Sequence, residues 1–396
     1  MNGSGRLDAR ARVVRVLAEV GTASRADLAR STALAFSTVS AAVSSLQAQG
    51  LVDEVAVAPS SQTMGRPSML LSLNRRAGLV GGIDIGKQHL HVVIADLSHA
   101  VLAESRRPME PDLPADQGAA LVGVAVSELL DEVDAERSEL LGVGLGLPGP
   151  IREPDAEVGD SSILPGWVGV RVTELVSDAL RVPVMVDNDA NLGALAEWMW
   201  GAGRDCQDMV FLKVATGIGA GLIISGQPYR GTGGTAGEIG HTLIDPHGQL
   251  CRCGNRGCLE TVAGSHALLQ AFIGTREHPP TLENVITWAL SGDAGCRRLI
   301  GDAGRAIGSA MATFCNLLNP ARIVVGGELA AAGVHLVRPL QEMLERSAIS
   351  SAARDFEVVV GELGDRAVAL GAVGLVLRST ALDLPDAASS SDAALE

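Results

Sequence analysis

No run in the sequence is apolar for long enough to cross a bilayer, and the polar, arginine-bearing stretch Met1–Arg12 is followed by no apolar signal-peptide core. A cytoplasmic protein without a membrane partner is therefore expected. Positive charge is scarce: 31 Lys and Arg stand against 46 Asp and Glu, for a net −15, which argues against nucleic-acid binding by the chain as a whole. Cysteine is scarce too. There are six, and Cys251, Cys253 and Cys258 lie within eight residues, which points to metal ligation rather than disulfide pairing. Cys206, Cys296 and Cys315 sit in apolar surroundings and are expected to be inert core residues.

What is present fits a soluble globular chain of two or three domains: 396 residues, 47% apolar and 19% charged. The charge is uneven. Nine arginines against five acids put residues 1–76 at +4, which leaves the remainder at −19. A basic head on an acidic body is the asymmetry expected when only the head meets phosphates.

The head reads as three helices and a hairpin. Val13, Val16, Leu17 and Val20 recur at helical spacing, and Gly21 ends that helix. Ser24 caps a second helix, with Asp27 three residues on and Leu28 and Ala29 turned inward. A third starts near Ser37. Val39, Val43 and Leu46 face in, which leaves Ser37, Thr38, Ser40, Ala41 and Ser44 on the outer face, small enough to approach base edges in a major groove. Strands at Leu51–Ala58 and Ser68–Leu73 flank a tip containing Gly65-Arg66-Pro67, where Arg66 is shaped to enter a minor groove. Arg25 completes the expected DNA-facing set. A helical bundle used for dimerisation is the alternative.

The body opens on Leu79–Gly86, an apolar run ending in Asp84-Ile85-Gly86, followed by the β-rich run His91–Asp96. Further on come Ala215-Thr216-Gly217-Ile218-Gly219 and the strand-like Ile323–Val325 running into Gly326-Gly327. Glycines let a backbone approach an anion closely, and the Thr216 hydroxyl can donate to a phosphate oxygen. Between them, Asn188 and Asp189 stand at a strand end before the helical stretch Leu192–Trp200. A carboxylate there can accept a sugar hydroxyl's proton while the amide bonds a neighbouring hydroxyl, though Asp189 or Asn191 as a simple helix cap is the competing reading. Glu238 and Glu260 are further candidates for clamping hydroxyls. His241 with Cys251, Cys253 and Cys258 makes the N1S3 set of a closed structural zinc site, with an unmetallated loop as the alternative and His247 as a competing ligand.

Taken together, the head string from Ser24 to Asn74, the Gly segments, Gly144–Pro150, Leu164–Trp167, Ala236–His241 and the Cys spacing resemble the ROK family (repressor, open reading frame, kinase). The resemblance implies an α/β, two-lobed actin-like ATPase fold (ribonuclease H-like, hexokinase-type) behind an N-terminal winged helix-turn-helix. The implied division is a DNA-binding domain at 1–76, a first lobe at 77–190 joined by a C-terminal helix near 365–380, a second lobe at 191–364 with the zinc loop, and a disordered tail at 381–396. It also implies Gly149 lining a sugar, Asp189 as the base of a kinase, and zinc positioning Glu260 and His241 at the sugar.

The kinase pattern is broken in places. Lys87 and Gln88 replace the Gly and Thr of the first phosphate segment, Ala215 replaces a Gly, Glu328 follows Gly327, and Ile163 replaces a sugar-facing Asn. The changes at Lys87, Gln88, Ala215 and Glu328 weigh against ATP and Mg2+, whereas Ile163 bears on the choice of sugar. The expected function is a sugar-responsive repressor of carbohydrate genes, working on a DNA operator as a homodimer or homotetramer. An ATP-dependent hexose kinase using Asp189 is the alternative.

Overall fold

The computed structural model describes residues 9–48, 50–55, 69–74, 78–152, 155–159, 162–273, 279–349 and 356–379. Arg66 with its Gly-Arg-Pro tip, and the tail 381–396, lie outside the described residues.

The head begins with α1 (Ala9–Val20), which buries Val13, Val16 and Leu17, while Val20, expected inward, is 55% exposed. Gly21 stops the helix at φ 76, donating its N–H to the Leu17 carbonyl. A short strand not expected from sequence follows, β1 (Thr22–Ala23). Helix α2 (Arg25–Thr32) carries the full capping box: the Ser24 side chain accepts from the Asp27 N–H, and the Asp27 carboxylate accepts from the Ser24 N–H. Helix α3 (Phe36–Ala48) starts one residue before Ser37 and fully buries Val39, Val43 and Leu46. Those three side chains contribute about 1.5–3 kcal/mol each by leaving water. Strands β2 (Val52–Val55) and β3 (Leu70–Leu73) form the wing; β1 adds to β3 and makes a sheet of order β1-β3-β2.

Between α2 and α3, Ala33 adopts left-handed backbone at φ 52, ψ 34. A side chain there costs about 1–2 kcal/mol against Gly, part of which Gly returns through its freer unfolded chain. Ala33→Gly is therefore expected to stabilise the head by up to about 1 kcal/mol. A urea titration of the full chain that showed a less stable variant would contradict this.

The body holds two five-stranded sheets built on one plan. The first runs β4 (Leu79–Ile85), β5 (His89–Asp96), β6 (Val101–Pro108), then, after α4 (Ala115–Glu132), β7 (Leu140–Leu147). A small hairpin of β8 (Ile151–Arg152) and β9 (Glu157–Val158), then α5 (Val172–Leu180), lead to β10 (Val184–Asn188). Its order is β10-β7-β4-β5-β6, an antiparallel meander on one side of β4 and parallel strands on the other. After α6 (Asp189–Trp200), the second sheet repeats the scheme with β11 (Met209–Val214), β12 (Ile218–Ile224) and β13 (Gln227–Tyr229). Helices α7 (Glu260–Ala263), α8 (Ser265–Gln270), α9 (Leu282–Leu290) and α10 (Ala294–Leu318) intervene before β14 (Arg322–Gly326), α11 (Val334–Ser347), β15 (Glu357–Val360) and α12 (Ala367–Arg378). The order is β13-β12-β11-β14-β15. This is the two-lobed actin-like ATPase arrangement. Helix α9 begins at Leu282 because Thr281 and Asn284 form a capping box. Among the described residues no helix is long and apolar enough to cross a membrane.

The two sheets exchange helices. Helix α6 follows β10 of the first sheet but packs on β11 and β12, whereas α12 follows β15 of the second and packs on β4 and β7. The boundary expected at 190/191 thus falls inside α6. The helices cross closely: a Cβ on Gly371 of α12 would lie 1.9 Å from the Leu192 carbonyl oxygen. The far half of α12, with Val373, Val376 and Leu377, shares one apolar cluster with Val13, Val16, Leu17 and Val39 of the head.

The turn between β5 and β6 locks onto α6 through His99, whose ring stands 5.0 Å from that of Trp200. Burial pushes His99 down to about 4, against the pull of Asp96. A depressed histidine confers stability that is complete above its ordinary pKa of 6.5 and is lost as pH falls toward 4. An acid-induced loss of about 2–3 kcal/mol is expected across that window. His99→Asn, which tolerates the positive φ, should flatten it in urea melts at the two ends of the range. Equal losses in both proteins would place the acid sensitivity elsewhere.

Candidate functional site

A cleft of about 1120 Å3, counting its open mouth, lies where the ends of both sheets meet. The β4–β5 turn brings in Asp84, Gly86, Lys87 and Gln88, and the β11–β12 turn brings Thr216, Gly217 and Gly219. Gly327 and Glu328 close the same end. Gly326, expected beside them, does not line the cleft. A Cβ there would lie 2.4 Å from the Phe211 ring, so its bare backbone makes room for that side chain instead.

At the other end stand Gly149, Ile163, Asn188, Asp189 and Glu238. Gly149 takes φ 111 and abuts Ser162, where a Cβ would lie 2.8 Å from the Ser162 Cα. The Asn188 side chain caps α6, accepting from the Ala190 and Asn191 N–H groups, and donates from Nδ2 to the Gly149 carbonyl at 2.8 Å. Asn188, rather than Asp189 or Asn191, is thus the cap, and it also lines the cleft. Neighbouring Asp187 accepts from Asn191 at 2.9 Å and from Arg230 at 2.6 Å, tying β10 to the segment after β13.

Glu238 immediately precedes the 3-10 turn Ile239–His241. Burial first, and then the charge of Asp189, push it up to about 7 against the pull of Arg252. Glu260 and His241, expected at the sugar, do not line the cleft. Glu260 lies behind Gly217, where its Oε2 accepts from the Ile218 N–H at 3.3 Å and from Arg252 at 2.8 Å. Arg252 is the side chain that reaches the cleft in its place.

His241 belongs to a second cluster. One ligand atom each from His241, Cys251, Cys253 and Cys258 all lie within 4.8 Å of one another, and His247 is not among them. Cys253 Sγ is 3.7 Å from Cys258 Sγ, and His241 Nδ1 is 3.5 Å from Cys251 Sγ. A tetrahedral ion with Zn–S and Zn–N bonds of ordinary length needs S–S edges of about 3.8 Å and N–S edges of about 3.6 Å. The donor set therefore fits a tetrahedral metal. His241 Nε2 faces Glu238 at 3.8 Å, so one ring links the cluster to the cleft.

Sequence reasoning missed Lys213, Arg252, Arg106 and His89, all of which line the cleft. Lys213 donates to Asp189 at 2.6 Å, and His89 pairs with Asp84 at 3.0 Å. Burial alone would raise Asp84, but the bond to His89 and the charge of Lys213 outweigh it and hold Asp84 below its ordinary range. The alternation of buried Val210, Leu212 and Val214 was the available signal for Lys213, since it puts that residue on the opposite face of β11.

On the head, Ser37, Thr38, Ala41 and Ser44 are exposed on α3 and Ser40 is half-buried. Arg25 bonds Gln47 at 3.0 Å and Glu54 at 3.3 Å, so it braces α2 against α3 and β2.

A family model described as the ROK family matches residues 80–379. The xylose repressor of Caldicellulosiruptor bescii is 30% identical over 337 residues, which cover 81% of this chain and 84% of that protein. The DNA-binding transcriptional dual regulator NagC of Escherichia coli K12 is 31% identical over 383 residues, covering 93% and 92%. A solved ROK family transcriptional regulator, a homolog of the E. coli Mlc protein, matches with TM-score 0.80 at 25% identity, over 95% of this chain and 97% of that one. A ROK family glucokinase from Streptomyces griseus, solved with glucose and AMPPNP, matches with TM-score 0.68 at 27% identity, over 75% and 99%. With the family model spanning most of its length, the chain belongs to the ROK family.

Proposed function

We propose that this protein is a sugar-responsive transcription repressor of carbohydrate genes, acting on a DNA operator in the cytoplasm as a homodimer or homotetramer. The observation that carries the reading is the path of α12. Ala367 and Val368 at its start line the cleft, and its far half packs in the same apolar cluster as the DNA-binding head. A ligand that shifts α12 therefore acts on the head directly.

In this reading α3 enters the major groove with Ser37, Thr38, Ser40, Ala41 and Ser44, and Arg66 reaches the minor groove. Arg25 acts by bracing α2. Gly149, Asn188, Asp189 and Glu238 hold the sugar, with Arg252 beside them. A structural zinc on His241, Cys251, Cys253 and Cys258 holds the loop behind Glu238 and Glu260. Asp84, Gly86, Thr216, Gly217, Gly219 and Gly327 keep the shape of a nucleotide cradle. The second reading, a hexose kinase, is favoured by one observation: Asp189 stands in the cleft at the start of α6.

Sugar switches the repressor only through different affinities for its two states. A 100-fold preference corresponds to about 2.7 kcal/mol, within the range of such couplings. The test is fluorescence anisotropy on the DNA upstream of the protein's own gene, with a salt titration and xylose, N-acetylglucosamine and glucose. Sequence-preferring binding that one of these sugars changes is the expected result. Binding no tighter than to random DNA, under every sugar, would overturn the repressor reading in favour of the kinase.

A further inference from the structure

Lys213 and Lys87 are the only lysines in the sequence, and both stand at the cleft. Lys213 lies on β11 between Leu212 and Val214, which are buried in the core of the second sheet. Strand alternation turns it the other way, into the cleft. Its Nζ donates to Asp189 Oδ2 at 2.6 Å, and the two side chains keep only 16% and 11% of their exposure. The charges of Asp84 and Glu328 also act on this ammonium. Asp84 Oδ1 is buried and has no hydrogen-bond partner among the described residues. The acidic floor of the cleft therefore already holds a cation that belongs to the chain.

Carboxylates converging in a partly buried site repel one another and draw in a hard divalent cation, which in phosphoryl transfer neutralises the phosphates. An ammonium in hydrogen-bond contact with one of them answers the same demand. The geometry points to Lys213 as an internal counter-cation that takes the place of a divalent metal beside Asp84 and Asp189, so that the cleft binds an uncharged polyol without metal or nucleotide and transfers no phosphoryl group. Two consequences follow from the position of the charge. Asp189 Oδ2 is occupied by a strong donor, which weakens it as an acceptor for a hydroxyl proton. A divalent ion approaching Asp84 meets a fixed positive charge. Burial would lower Lys213, but Asp189 and Asp84 outweigh it and raise it, so the ammonium persists at neutral pH.

This rests on the reading of the cleft as a sugar site without catalysis, and its test uses neither sugar nor DNA. Mn2+ alone is the probe, titrated into the zinc-loaded full-length protein and followed by the electron spin resonance of the free ion. The wild type is expected to bind no Mn2+ at the cleft. Lys213→Met, which removes the charge and keeps most of the stem, should bind it roughly tenfold or more tighter. Asp84→Asn in that background should cancel the gain. Should Lys213→Met fail to melt cooperatively, Lys213→Gln takes its place. Wild-type protein that binds Mn2+ as tightly as the Lys213 variant overturns the inference, and so does a gain that Asp84→Asn leaves intact. If no sugar moves the DNA affinity while the Mn2+ pattern holds, the repressor reading fails and the counter-cation stands.

Discussion

Replacing Cys258 with serine is expected to reduce bound zinc to background and to weaken sugar binding roughly 10- to 100-fold, the range seen when the support of a metal-linked site is lost. Cys258 sits at the joint of the loop. The Ile244 and Asp245 N–H groups donate to the carbonyl of Gly257 just before it, and the Leu259 N–H just after it donates to Thr242. Two residues on, Glu260 opens α7, which packs against α10. A cation on the four ligands thus holds the turn bearing His241 to the helix bearing Glu260. Without one, the cluster is held by weak sulfur contacts. Burial, and bonds to the neighbouring thiols, push Cys258 up to about 12. Structural zinc contributes folding energy on the order of several kcal/mol. The melting temperature should therefore fall along with the sugar affinity, while sugar-free DNA binding, assigned by proposal to α3 and Arg66, should hold. Elemental analysis and calorimetry decide the matter: a variant retaining full zinc would remove Cys258 from the ligand set.

Glu238→Ala should cost about 1.5–3 kcal/mol of sugar binding, close to 10- to 150-fold, because it deletes a charge-bearing partner for a hydroxyl. Glu238 is one-third exposed and lines the cleft beside Asp189 and Arg252. Held near 7, it is present in both protonation states at neutral pH and can either donate to or accept from a hydroxyl. The operator complex of Glu238→Ala should form with unchanged affinity and ignore sugar at concentrations that release the wild type. Glu238→Gln, which keeps both a donor and an acceptor, should lose less. A Glu238→Ala protein that responds at the wild-type sugar concentration would move the site elsewhere in the cleft.

Much of the head was legible because its signals are local. The Ser24–Asp27 capping box, the stop at Gly21, and Val39, Val43 and Leu46 on one face of α3 each depend on residues within two turns of one another. The metal ligands were legible for the same reason, since three of the four lie in one short loop. What escaped depended on distant partners. Strand β1 is only two residues long and exists because β3 passes beside it. Val20 completes the apolar period of α1 yet is 55% exposed, because none of the described residues covers that end of the helix.

For the chemistry the division is sharper. By composition, spacing and motif, the sequence alone determined the two-part plan, the ROK membership and the identity of the residues that could hold a sugar or a metal. Only the tertiary structure decided which of those residues share a surface. Glu260 is bound to the Ile218 N–H and to Arg252, Gly326 yields its space to Phe211, and Arg25 is bound across to Gln47 and Glu54. The pairing of Lys213 with Asp189, 24 residues apart, was likewise decided there. Helix α6 packs on the sheet it does not follow and brings its first residue against β11. Capping and periodicity are written within a few residues, but the approach of one side chain to another across two sheets is set by the packing of the whole core.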